Sequence, residues 1–433
     1  MDHWSLLKGV IDLRSFVLKG HILHSRDKDR IDIFENHYLV CQEGICRGIF
    51  GQLPQQYSDL PLEDFGDKLV IPGMSDLHIH ASQFSYRGLG MDMELLQWLE
   101  HHAFPEERKY EDLTYADRAY GQFVSHIRRS ETTRACVFAT IHREATELLM
   151  EKMEDSGLVS YIGKVNMNRN CPDFISEKDA IADTRLWLQE TAGKWENTKP
   201  ILTPRFIPSC TDDVLEGLGK LSREFDVPVQ SHLSENLSEI RWVSELVPGT
   251  KNYGDAYAKF DLFGKDGQKC LMSHCVYSDD DELQTMKENG VVIAHCPESN
   301  MNVASGVAPI DRYLELGLQV GLSTDVAGGS HESMFRAMIH AIQSSKLRWR
   351  LLDQNVKFLS FDKAFYLATR GGGAFFGKVG AFDDGYEFDA VVLDDANLDH
   401  PQQITTHERL ERVVYLGDER NIVGKYVRGR KLF

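Results

Sequence analysis

Along the middle of this chain, short apolar runs alternate with longer stretches whose apolar residues recur every three or four positions. The short runs are SDLHIH (75–80), ACVFATIH (135–142), YIGKVNM (161–167), PILTPRFIP (200–208), PVQSHLSE (228–235), KCLMSHCV (269–276), VVIAHCPES (291–299) and LQVGLSTDV (318–326). Between them lie segments of helical period such as YADRAYGQFVSHIRRS, KDAIADTRLWLQETAGKW and TDDVLEGLGKLSREF. Eight strand-like runs separated by helix-like segments predict an α/β fold, a (β/α)8 TIM-like barrel spanning 69–379. The two flanks differ. DHWSLLKGVIDLRSF, HYLVCQEGICRGIFG and DKLVIPG at the start, and FDAVVLDD, RVVYLGDERNIV and KYVRGRKLF at the end, are short β-prone runs split by polar and glycine turns. They predict one small composite β-sandwich domain built from residues 1–68 and 380–433.

Composition narrows the field of partners. Against 48 Lys and Arg stand 66 Asp and Glu in 433 residues, a formal net charge of −18. An acidic surface repels phosphate backbones and argues against nucleic acid as a partner, without excluding a neutral nucleobase. No apolar run is long enough to span a bilayer, and MDHWSLLKGVIDLRSF lacks the basic start and apolar core of a signal peptide. Eight scattered cysteines without a Cys-x-x-Cys pair read as reduced thiols. The expected compartment is the cytoplasm.

Each strand-like run carries its chemically interesting residue at its C-terminal end, where barrel enzymes place their catalytic groups. Taken in order these are His78 and His80, Arg205, His232 with Glu235, His274, and Asp325. His78 and His80 alternate at strand period, so both imidazoles project from one face. Alone, the pair is equally a polar strand face. Three imidazoles and one carboxylate, from His78, His80, His232 and Asp325, match the donors that Zn²⁺ accepts while keeping a position for water. Such a water loses a proton near neutral pH, and Glu235, three residues beyond a ligand, is placed to shuttle protons. Separately, His274 reads as a core histidine, Asp325 as a helix cap and Glu235 as a surface carboxylate; their joint occurrence at strand ends favours a site.

The stretches PGMSDLHIH, SHLSEN, MSHCVY, AHCPESN and GLSTDVAGG resemble the motif series of the metal-dependent amidohydrolase superfamily. HIHASQFSYRG, LLQWLEHHAFPEERKY, PRFIPSC, QSHLSEN and STDVAGG resemble, more narrowly, its guanine deaminases. The resemblance implies zinc-dependent hydrolytic deamination of guanine to xanthine and ammonia by a homodimer. It implies one Zn²⁺ per chain on His78, His80, His232 and Asp325, with Glu235 as proton shuttle and His274 orienting the bound hydroxide. Asp325 would also take the water's proton, and Gln83, Arg205 and Phe206 would contact the purine beside His232, Glu235 and Asp325. Members with two metals carry a lysine on the fourth strand, where this chain has Arg205; Lys164 lies on the third run, out of place for that role. Ser330-His331-Glu332 departs from the family pattern. Alternatives are an amidohydrolase acting on another purine, a pterin or a triazine, and a non-catalytic barrel scaffold, which the full ligand set disfavours.

Three further motifs are set aside. His142-Arg143-Glu144 lacks the Pro-Cys-x-x-Cys partner of the other zinc deaminase fold. Gly372–Lys378 (GGAFFGK) approaches a phosphate loop, but Val379 stands where Ser or Thr is required. Arg428, Arg430 and Lys431 read as a solvated strand end.

Overall fold

The computed structural model describes residues 14–173 and 176–433, so the run DHWSLLKGVIDL lies outside the described residues. Seventeen strands follow in chain order: β1 Phe16–Asp27, β2 Arg30–Gln42, β3 Ile45–Phe50, β4 Leu62–Pro72, β5 Met74–His80, β6 Thr132–Phe138, β7 Val159–Gly163, β8 Val165–Asn166, β9 Thr198–Pro200, β10 Thr203–Pro204, β11 Val229–Leu233, β12 Cys270–His274, β13 Val292–His295, β14 Val320–Leu322, β15 Ala390–Leu393, β16 Ile422–Val427 and β17 Arg430–Lys431. Six of the eight expected runs hold one of them each, and two runs hold a pair. YIGKVNM breaks into β7 and β8, and the fourth run carries the end of β9 and β10.

The middle strands form two parallel four-stranded sheets, β5-β6-β7-β9 and β11-β12-β13-β14, with a small β8–β10 pair beside them. Hydrogen bonds join the two sheets on both sides. Leu202 donates to Pro228 O and accepts from Gln230 N, each at 2.9 Å, while Asp325 N donates to His78 O at 2.8 Å and His80 N to Val326 O at 2.9 Å. Leu77, Cys136, Ile201, Leu271, Val292 and Ala294 meet between the sheets in one buried cluster. Phe375 from the GGAFFGK segment completes that cluster, so the near-phosphate loop is an apolar plug. Its glycines permit the approach: a Cβ on Gly372 would come within 3.1 Å of Ser75.

Helices pack around these sheets because their apolar residues fall on one side. In Leu113–Arg129 the buried positions Ala116, Ala119, Tyr120, Phe123, Val124 and Ile127 keep helical spacing, and Asp112 caps the start by accepting from Thr114 N at 2.8 Å. Asp212–Phe225 buries Val214, Leu215, Leu218 and Leu221 in the same way.

Both chain ends enter one seven-stranded sheet, in the order β17-β16-β15-β4-β1-β2-β3. Its central partners β4 and β15 come from opposite ends of the chain, antiparallel in the register Pro72↔Ala390 to Leu69↔Leu393. β4 runs past residue 68 to Pro72 and continues through Gly73 into β5, the strand bearing His78 and His80. Gly73 is required there, since a Cβ would lie 2.3 Å from the Thr133 side chain. The basic tail is paired rather than solvated, correcting the sequence reading. Arg428 lies 3.1 Å from Glu196, Arg430 3.2 Å from the same carboxylate, and Lys431 pairs with Glu63.

Candidate active site

Strand ends deliver the site residues to one place. β5 supplies His78 and His80, β11 supplies His232, β12 supplies His274, and Asp325 follows β14 with a positive φ of 48°. All five are buried or nearly so, which removes them from water and makes every unpaired polar atom costly. His78 Nε2 lies 3.1 Å from His80 Nε2 and 3.1 Å from Asp325 Oδ1; His80 Nε2 lies 3.4 Å from the same oxygen. His232 joins the two histidines, with the ligand atoms of all three within 4.8 Å of one another. His232 Nδ1 is turned to Arg205 O, which fixes the proton there and leaves Nε2 a lone pair facing the others.

Donor atoms held about 3.3–3.4 Å apart form the edges of a tetrahedron around an ion at zinc–nitrogen distance. The observed 3.1–3.4 Å separations fit that figure. Burial drives the His78, His80 and His232 imidazoles well below their usual proton affinity, so all three are neutral donors. Burial also raises Asp325 to about 6. Neutral imidazoles and a carboxylate converging in a buried site are suited to a divalent cation, which would satisfy them together. Cys296 lies close enough to His78, His274 and Asp325 to be counted with them, but its thiol points to Ala294 O at 3.5 Å and burial raises it well above the thiol range.

Two further groups face the cluster. His274 Nδ1 bonds to Asn300 Oδ1 at 2.8 Å, while Nε2 is buried without a hydrogen-bond partner, 3.6 Å from Glu235 Oε2 and 3.7 Å from Asp325 Oδ2. With Nε2 turned toward both carboxylates, His274 is placed as a member of the cluster more than as a core histidine. Glu235 accepts from Ser305 Oγ at 2.8 Å, and burial followed by repulsion from Asp325 pushes its carboxyl up to about 8. A carboxyl that keeps its proton at neutral pH can donate it.

A cavity opens directly on these groups, with about 460 Å³ of empty space counting the part open to solvent. Gln83, Arg205 and Phe206 line it with His80, His232, Glu235, His274 and Asp325, whereas His78 sits behind the lining. Gln83 Oε1 accepts from Ala327 N at 3.2 Å, so its NH2 remains as a donor toward the cavity. Arg205 is 3% exposed, with its guanidinium carbon 5.5 Å from the Phe104 ring. Sequence reasoning missed Leu95, Trp98, Leu99 and Val303, which wall the cavity, and Glu239, whose Oε2 accepts from Glu235 N at 3.2 Å. For Leu95, Trp98 and Leu99 the signal lay in the LLQWLE stretch, where apolar residues on short helices look like ordinary core. Lys164 lies apart from the site, paired with Glu177 and 3.4 Å from Asp183.

The family model described as amidohydrolase family matches residues 69–432, and the chain belongs to that family. Among its relatives, the guanine deaminase of Dictyostelium discoideum is 35% identical, covering 96% of this chain and 98% of its own length. Human guanine deaminase is 34% identical over 96% of this chain and 92% of its own. A crystal structure of guanine deaminase from C. acetobutylicum, with guanine bound in its active site, superposes with a TM-score of 0.94 at 43% identity, covering 97% of this chain and all of that one.

Proposed function

We propose that this chain deaminates guanine, converting guanine and water to xanthine and ammonia. The observation that carries it is the convergence of four metal-type donors and the buried Glu235 carboxyl at one cavity that Arg205 and Gln83 also line. His78, His80, His232 and Asp325 would hold one zinc ion. When bound, the metal would contribute Lewis acidity and an acidified water.

The chain's own groups do the rest. Arg205 presents a rigid fork of donors, and Gln83 an amide NH2, to the carbonyl and ring-nitrogen acceptors of the base. Phe206, 8% exposed at the cavity wall, offers a flat face for the ring. Glu235 gives its proton to the ring nitrogen beside the amino-bearing carbon as water adds to that carbon. Asp325 Oδ2 takes the proton that the water loses and passes it to the amino group; the C–N bond then breaks, ammonia leaves, and the new hydroxyl returns its proton to Glu235 as the carbonyl of xanthine forms. Leu95, Trp98, Leu99 and Val303 keep bulk water from the polar groups, which strengthens every interaction inside. The reading includes a (β/α)8 barrel, supported by the hydrogen bonds that join the two parallel sheets on both sides.

Ammonia release from guanine tests the proposal. Purified protein is expected to be active, to lose activity to a chelator and to regain it with zinc, and elemental analysis is expected to give close to one metal per chain. Metal-loaded protein that releases no ammonia from guanine overturns the activity; a content near two metals per chain overturns the ligand set.

A further inference from the structure

The loop after β14 does more than deliver Asp325. Two residues on, the Ala327 N–H holds the Gln83 side-chain oxygen at 3.2 Å. Five residues further, Glu332 reaches back to the same segment from its other end. Glu332 is 8% exposed; its Oε1 lies 2.7 Å from His126 Nδ1 on the helix Leu113–Arg129, and its Oε2 lies 3.6 Å from Arg87 Nε. Arg87 in turn donates to Phe84 O at 3.0 Å and stacks its guanidinium 3.7 Å from the Phe84 ring, whose centre is 5.3 Å from the His126 ring. Phe84 is the immediate neighbour of Gln83. The carboxylate thus clamps Arg87 and His126 around Phe84, while the backbone of the same loop fixes the amide next door.

We propose that Glu332 is a positioning residue for substrate binding: it ties the loop carrying Asp325 to the segment carrying Gln83, and so sets where the Gln83 NH2 stands in the cavity. The inference rests on the functional reading above. His78 and His80 do not depend on this clamp, because β5 is held to Asp325 and Val326 by its own backbone bonds at 2.8 and 2.9 Å. Loosening the clamp should therefore act on binding of the base and spare the metal ligands. A freed Gln83 samples several rotamers, and its donor must be ordered again each time substrate binds.

Glu332→Gln keeps the size of the side chain and removes its charge. The expected result is a KM for guanine raised about tenfold, with kcat within about twofold and metal content unchanged, since uniform binding is lost rather than transition-state stabilisation. In a Gln83→Ala background the same substitution should change KM less than about twofold, because the group it positions is gone. Arg87→Met, which breaks the clamp from the exposed side, should reproduce the split and serves if Glu332→Gln does not fold. An unmoved KM in both variants, loss of metal, or a full effect persisting without Gln83 overturns the proposal. Wild-type protein inactive on guanine would overturn the functional reading and this inference together; active wild type with unmoved variants overturns this inference alone.

Discussion

Under the proposed function two demands meet at Glu235: its buried carboxyl must keep a proton to give, and it must leave the metal to Asp325. The geometry meets both, since Ser305 and the Glu239–backbone contact hold Glu235 from behind while its Oε2 faces His274. Glu235→Gln preserves shape and the acceptor for Ser305 but cannot transfer a proton. It is expected to retain its metal while kcat falls by about 10²–10⁴-fold, as for other positioned proton carriers; metal analysis beside steady-state kinetics checks both halves, and a variant that loses metal or keeps its rate removes the assignment. Under the proposed function, Arg205 is the residue that would set selectivity. A base lacking acceptors for its guanidinium leaves a buried cation poorly paired, at a cost of about 1–3 kcal/mol or more. Arg205→Leu should lower kcat/KM for guanine by roughly tenfold to several hundredfold and leave metal content intact. Assays of guanine against adenine, before and after the change, read the effect directly, and equal rates on the two bases in the wild type would transfer selectivity to another wall of the cavity.

Elements explain why so much of the site could be read from the sequence. His78 and His80 alternate at the period of a strand, and β5 ends on His80, so spacing alone brought both imidazoles to one face. His232, His274 and Asp325 were legible because short parallel strands all open on the same side. The cavity wall was not. Trp98 and Leu99 lie on short helical turns between Leu95 and Arg108, where no period distinguishes a residue lining a cavity from one filling a core. Glu332 was equally opaque, since its partners Arg87 and His126 lie more than 200 residues earlier in the chain. The GGAFFGK segment read as a failed phosphate loop, and its role as a plug depends on six residues distant in the chain. Phe375 is 1% exposed among them. Phe375→Ala should lower unfolding stability by about 3–5 kcal/mol through lost burial and a residual cavity. Denaturant unfolding measures the loss, and KM for guanine should not move, because the plug and the base cavity share no lining residue.

The whole molecule depends on ties between distant parts of the chain, which composition and period do not reveal. Short β-prone runs at both ends were legible, yet the pairing of β4 with β15 and the burial of Arg134 against Asp389 at 2.7 Å are tertiary facts. Another such tie lies at Asp362, where one oxygen accepts from Ile31 N on β2 and the other meets His407 Nε2 at 2.8 Å. His407 sits in the first turn of Thr406–Leu416, with Glu411 3.2 Å from its Nδ1 and Glu408 nearby, so every charged group facing it is acidic. The hydrogen bond to Asp362 raises its pKa above the ordinary 6.5 despite partial burial. A histidine whose folded pKa is raised binds more protons folded than unfolded, so its contribution is full below about 6.5 and is lost as pH rises through the folded value. Because the ring is partly exposed, that contribution is of order 0.5–1 kcal/mol. His407→Gln should therefore destabilise the protein more at pH 5.5 than at pH 9, by about that amount, in urea unfolding at the two pH values. A difference that is constant, or that grows toward alkaline pH, would show that the imidazole holds Asp362 without its charge.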